Sequence, residues 1–125
     1  MKRLVLEALL LLLIFDYVMR FREFNALHRI VRVQRVRRTT HKKIVSSSEL
    51  CRAIDLACVF YFKPVLCLQR SAATTLLLRR HGWNAEMVIG AQVLPFKSHA
   101  WCEIEGAVVN DKPYMSEIYA VLERC

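Results

Sequence analysis

The chain has 125 residues, of which 55% are hydrophobic and 24% charged, with only three glycines and three prolines. That balance supports one packed core and excludes both a disordered chain and a glycine- or proline-rich fibre. Five cysteines, at positions 51, 58, 67, 102 and 125, are odd in number and irregular in spacing. They form no closed disulfide framework and no CxxC or HxxxH metal pattern, so they read as reduced thiols in a cytoplasmic protein that calls for no metal or other cofactor.

The net charge of +8 sits entirely in the first third: residues 1–43 hold eleven Lys/Arg against Glu7, Asp16 and Glu23, while residues 44–125 hold eight of each sign. The expected organisation is a single domain over 1–125, with a basic helical arm at 1–43 and a neutral core at 44–125. Such an arm suits an acidic peptide, a partner protein or an anionic membrane. Nucleic acid is disfavoured, because the aromatic residues are not interleaved with the arginines as stacking platforms.

The first predicted element is an apolar helix from Leu4 to about Arg20. Its unbroken apolar run, Ala8 to Phe15, is shorter than the ~20 residues that a bilayer span needs, and no cleavage site follows it. It therefore reads as a buried helix, with a membrane-surface helix as the alternative. A basic helix over about Glu23–Val36 offers Leu27, Ile30, Val31 and Val33 for packing. Arg37 to His41 reads as a linker. Ser46 and Glu49 form a capping box that opens a helix over about Ser48–Tyr61, which Lys63-Pro64 stops.

Cys67 follows that proline and opens the next helix, about Leu66–His81, with Gly82 as its left-handed cap and Arg79, Arg80 and His81 suited to the negative end of its dipole. Two strands follow, at 85–94 and 98–105, then a turn at Glu105-Gly106, a third strand at 107–110 and a tail helix at 115–122. Helices first and a small antiparallel sheet afterwards make an α+β fold.

Cys67, His99 and Asp111 each stand at the boundary of an element, in the order of a thiol hydrolase or acyltransferase. A helix N-terminus favours the thiolate of Cys67, His99 is the candidate base, and Asp111 would hold the second ring nitrogen. His99 and Asp111 must then share a sheet face. A two-residue turn with a regular ladder pairs 100 with 111 and puts them on opposite faces. A three-residue loop or a bulge, with Gly106 at positive φ, pairs 99 with 111 and is the expected geometry.

The remaining candidates have less pointed roles. Arg70 either forms a salt bridge or meets a partner, and Trp101 either lines a peptide groove or joins the core. Phe96 is expected beneath the histidine loop. Cys51, Cys58 and Cys102 read as small core residues. Arg35, Arg37 and Arg38 are expected to dock a partner through charge.

The stretches CLQRSAATTLLLRRHGWNAEMVIG and PFKSHAWCEIEGAVVND resemble the leader peptidases of lasso-peptide biosynthesis. That family is transglutaminase-like and distantly papain-like. The resemblance rests on C-L-x-R-S at the helix start, L-L-R-R-x-G at its end, V-I-G in the strand, P-F-x-x-H-A-W-x-E around the histidine, and V-V-N-D. It implies a cysteine peptidase core at 44–125 with Cys67 as nucleophile, His99 as base and Asp111 as its partner. It also implies removal of the leader from a precursor peptide, presented by a small leader-binding recognition protein, before an asparagine-synthetase-like cyclase closes the ring. A chain of this length has no room for the leader-binding module, which points to the split, stand-alone form. Two other readings fit the residues: a transglutaminase-like amine acyltransferase, and a non-catalytic basic module that binds a peptide or contacts a membrane peripherally.

Overall fold

The computed structural model describes residues 2–22, 24–34, 45–93 and 95–125. The expected linker and the docking candidates Arg35, Arg37 and Arg38 lie outside these residues.

Helix α1 spans Lys2–Phe21, α2 Phe24–Val33, α3 Ser47–Phe60 and α4 Cys67–Arg80; strand β1 spans Ala85–Gln92, β2 Lys97–Ile104 and β3 Ala107–Val108; the one-turn helix α5 spans Met115–Ile118, and β4 spans Ala120–Arg124. The four strands form one sheet in the order β3-β2-β1-β4, and every adjacent pair is antiparallel. The architecture is α+β, as the order of helical and strand signals predicts.

Local signals set the helix ends. Ser46 accepts a hydrogen bond from the Glu49 backbone N–H at 3.2 Å and starts α3. Gly82, at φ 91°, lets the chain leave α4, and the Trp83 N–H returns to the Leu78 carbonyl at 2.9 Å. Beside that cap, Glu7 of α1 meets both Arg80 and His81, at 2.9 and 3.1 Å. Arg79 behaves differently from its neighbours. It is buried, and it donates to the carbonyls of Ala85, Val31, Gln34 and Cys125, clamping α2 and the end of the sheet onto α4.

Helix α4 is central. Its small residues Ser71, Ala72, Ala73, Thr74 and Thr75 are all buried, which lets neighbouring elements approach its backbone closely. Its apolar side chains join one core with Leu12 and Phe15 of α1, Leu27 and Val31 of α2, Leu50 and Ile54 of α3, and Met87 and Cys102 of the sheet. Leu27 and Val31 pack as expected, but Val33 is exposed. Helix α1 belongs to this core, and no described helix is long and apolar enough to cross a membrane.

Two expectations about the sheet are corrected. The expected tail helix is a single turn, and the residues after it pair with β1 as an edge strand, with a register shift at Ile89/Gly90. The strand is short and flanks a fully formed β1, so partner hydrogen bonds outweigh its own helical pattern. The β2–β3 connection is also not the expected three-residue loop. Ile104 pairs with Ala107 across the two residues Glu105 and Gly106, at φ 49° and 83°. Both torsions are left-handed, as a type I′ hairpin requires.

Candidate functional site

Strand β2 divides its side chains between two environments. Cys102 turns toward α4, where the Thr75 hydroxyl donates to its sulfur at 3.3 Å, and the adjoining Ala100 carbonyl accepts from Ser71 Oγ at 2.9 Å. His99, Trp101 and Glu103 alternate with these residues. Their own contacts run along the other side: the Trp101 indole N–H donates to Glu103 Oε2 at 2.7 Å, and Arg124 of β4 donates to Glu103 Oε1 at 2.7 Å.

His99 and Asp111 meet: the His99 Nε2 lies 2.6 Å from Asp111 Oδ2. A regular continuation of the two-residue hairpin would have put them on opposite faces, and the ladder stops in time to prevent it. The Val109 N–H still bonds to the Cys102 carbonyl at 3.0 Å. The reciprocal bond is lost, because the Cys102 N–H donates to the side-chain Oδ1 of Asn110 at 2.7 Å. The Asn110 amide also donates to Ser71 Oγ at 3.2 Å, tying the strand end to α4. From there the chain is no longer bound to strand alternation, and Asp111 reaches His99. Asn110 is a site-building residue missed by the sequence reading, although V-V-N-D contains it.

Burial raises the Asp111 pKa, but the hydrogen bonds from His99 and the Lys112 backbone N–H, with the nearby charges of His99 and Arg70, outweigh that and leave it below the usual aspartate value. The carboxylate is therefore ionised across the neutral range and fixes Nε2 of the ring as the bound nitrogen. Nδ1 is left for a proton donor on the other side.

Two aromatic residues steady the histidine. Its ring stacks at 27° on both Tyr119 and Trp101, with centroids at 5.4 and 6.2 Å. Trp101 is fully buried, which is the core position of its two sequence readings, so it supports the ring rather than lining a groove. Gly90 lies opposite His99 on β1, and a Cβ there would fall 2.7 Å from the indole and 2.8 Å from the Tyr119 Cβ. The V-I-G glycine is thus a packing requirement. Tyr119 had no sequence signal, because its placement depends on how β4 joins the sheet. Phe96 is 75% exposed and does not pack beneath the histidine.

Cys67 is the first residue of α4 and is exposed. Leu66 precedes the helix without a side-chain cap, so the first-turn N–H groups around Cys67 are not consumed by a capping side chain. Cys67 and His99 line the same small cleft of about 80 Å³, with Leu68, Ile89, Ser98 and Ala100. The thiol forms no hydrogen bond to the ring in this geometry. On the other side of Leu66, a groove of about 440 Å³ runs between α1 and the segment entering α4, lined by Asp16, Arg20, Lys63 and Gln69 among others.

The other four cysteines lie in settings that suppress the thiolate. Burial pushes Cys51 up to about 11 and Cys102 up to about 12, and it also raises Cys58 and Cys125. Arg70 is ion-paired with Asp55 of α3. Among the described residues, one group has the composition of a metal site: His28 lies 3.3 Å from Glu123 and 3.7 Å from the Cys125 sulfur. The surroundings oppose a cation there. Arg32 pairs with Glu123, Arg79 holds the Cys125 carbonyl, and burial keeps the thiol protonated.

Over 56 residues the chain is 39% identical to the microcin J25-processing protein McjB of Escherichia coli, a stretch that covers 45% of this chain and 27% of that protein. The matched stretch thus spans about a quarter of the relative's length. No solved structure gives a significant match. The sequence pattern of the transglutaminase-like superfamily, in which chemistry typically rests on a cysteine, matches residues 9–124. That match takes in nearly every element described above, and the chain belongs to the transglutaminase-like superfamily.

Proposed function

We propose that this chain is a cysteine peptidase that removes the leader from a ribosomally made lasso-peptide precursor. The observation that carries the reading is the short His99–Asp111 bond beside an exposed, helix-opening cysteine that shares the histidine's cleft. The microcin-processing relative supports the substrate class.

In this mechanism the Cys67 thiol gives its proton to His99 Nδ1, and the sulfur attacks the scissile carbonyl carbon. The backbone N–H of Cys67 donates to the oxygen as negative charge builds on it. The tetrahedral centre collapses, the C–N bond breaks, and the imidazolium protonates the departing amine. Water then attacks the thioester, with His99 accepting its proton, and releases the leader's carboxylate and the thiol. Asp111 holds the ring in the tautomer that leaves Nδ1 open and stabilises the imidazolium. The 80 Å³ cleft is too small for a peptide, so the chain on one side of the scissile bond occupies the larger groove beyond Leu66. A separate leader-binding protein supplies the remaining affinity, and a cyclase consumes the freed amine.

Mass spectrometry of the precursor after incubation with this protein and the leader-binding protein tests the reading. Leader loss that disappears in Cys67→Ala, with binding of the precursor retained, is the expected result. Mass gain by amine coupling, again dependent on Cys67, would assign an acyltransferase instead. Turnover unchanged in Cys67→Ala would end both.

A further inference from the structure

The outer face of α1 is apolar and is covered by no described residue. Leu6, Leu10, Leu13, Ile14, Tyr17 and Phe21 recur at helical spacing, and each is between 43% and 67% exposed. A soluble surface rarely carries a contiguous apolar ridge of this kind without a binding role. An apolar groove of about 420 Å³, lined by Val5, Leu6, Leu56 and Phe60, extends the ridge at its N-terminal end.

The charges around this ridge narrow down what covers it. Lys2 and Arg3 stand at one end and Arg20 and Arg22 at the other; all four are exposed, and of the four Arg20 alone acts on a described carboxylate, through its charge on Asp16. The only two carboxylates of α1 are engaged elsewhere, Glu7 with Arg80 and His81, and Asp16 with Lys63 and Tyr61. The ridge is thus an apolar strip about 23 Å long, bracketed by cations and, among the described residues of α1, free of available negative charge. A second copy fits it poorly. Both ends are basic, so parallel and antiparallel pairing alike set cation against cation. A flat anionic surface with an apolar interior meets both requirements at once. Tyr17 and Phe21, with ring centroids 5.0 Å apart and the Arg20 guanidinium 5.9 Å from the Phe21 ring, have the aromatic-plus-cation character of an interfacial anchor.

We infer that the outer face of α1 seats the protein on an anionic phospholipid surface, with the helix lying in the interface rather than crossing it. The side chains of Leu6 to Phe21 enter the acyl boundary, and Lys2, Arg3, Arg20 and Arg22 meet lipid phosphates. Arg20 also lines the groove at the segment entering α4, so the seated protein holds its candidate peptide groove next to the membrane. The inference stands on α1 and the residues flanking it and is independent of the peptidase reading.

Co-sedimentation with vesicles tests it. The full chain is expected to bind vesicles of phosphatidylglycerol and phosphatidylcholine, to bind pure phosphatidylcholine far more weakly, and to be released by high salt. Leu10→Glu with Leu13→Glu should lower partitioning by at least tenfold while the circular dichroism spectrum is unchanged, since both positions are exposed. Arg20→Gln with Arg22→Gln leaves the apolar ridge intact and should weaken binding by about tenfold, each cation contributing roughly fivefold or less. Failure of the wild-type chain to sediment with anionic vesicles overturns the inference. So does equal binding by the Leu10/Leu13 variant, or a stable dimer or partner-protein complex that occupies this face and excludes vesicles.

Discussion

The two faces of β2 carry different burdens, although their residues are neighbours in sequence. Cys102 and the backbone at Ala100 are stitched to α4 by Thr75, Ser71 and Asn110. His99, Trp101 and Glu103 form a second line that runs from Asp111 and Tyr119 to Arg124. One face locates the strand relative to the helix that presents Cys67. The other holds an imidazole at a fixed angle. Alternation therefore lets a single strand serve both the core and the site, and substitutions one residue apart should separate stability from chemistry.

The largest expected effect is at Asp111. Asp111→Asn keeps the shape but favours the wrong ring tautomer, and should lower the rate of leader removal by roughly 10³- to 10⁴-fold with little change in thermal stability. Steady-state kinetics alongside a melting curve would check both halves; a rate within tenfold of wild type would remove Asp111 from the mechanism.

Trp101→Ala comes next. Emptying a fully buried indole should cost about 3–5 kcal/mol of stability, read by denaturant unfolding, and the surviving folded fraction should also turn over slowly because the His99 ring loses a stacking surface. Gly90→Ala acts on the same ring by crowding, at about 1–3 kcal/mol. Normal activity per folded molecule in both variants would show that the aromatic support is only structural.

The pH response is smaller and has a defined sign. The fold lowers the Asp111 pKa, so the fold favours its charged form. That stabilisation is fully present above the unfolded aspartate value of about 3.9, and it is lost as pH falls through the lowered native value. Asp111→Asn should therefore flatten part of the acid limb of the stability curve and leave the curve near pH 7 unchanged in shape. A titration in which wild type and variant lose stability in parallel below about pH 4 would contradict this.

The smallest effect belongs to Cys102→Ala, on the opposite face from Trp101. It should cost about 1 kcal/mol and leave turnover intact. Thiol labelling of the native protein should modify Cys67 first in both versions, since burial holds the other four thiols protonated.

By itself, the sequence determined what local chemistry can write. Ser46 and Gly82 bounded the helices, because caps satisfy backbone groups within a few residues. Cys67 was legible as a helix-opening thiol, and the α+β order followed from hydrophobic periods. The candidate trio Cys67, His99 and Asp111 was visible as types and order, and the resemblance motifs sharpened it. Tertiary structure alone decided the rest. The hairpin at Glu105-Gly106 closes in two residues, which by register would have parted His99 from Asp111. The Asn110 side chain reverses that outcome by taking a backbone N–H that only the folded sheet presents. Residues 115–122 read as helix, but β1 supplies partner hydrogen bonds to Ala120–Arg124, and that pairing brings Tyr119 onto the histidine. Arg79 read as a dipole cation, but four carbonyls converge on it, three of them from distant segments. In each case the deciding partner is remote in the chain, and no local propensity encodes a partner that folding has yet to deliver.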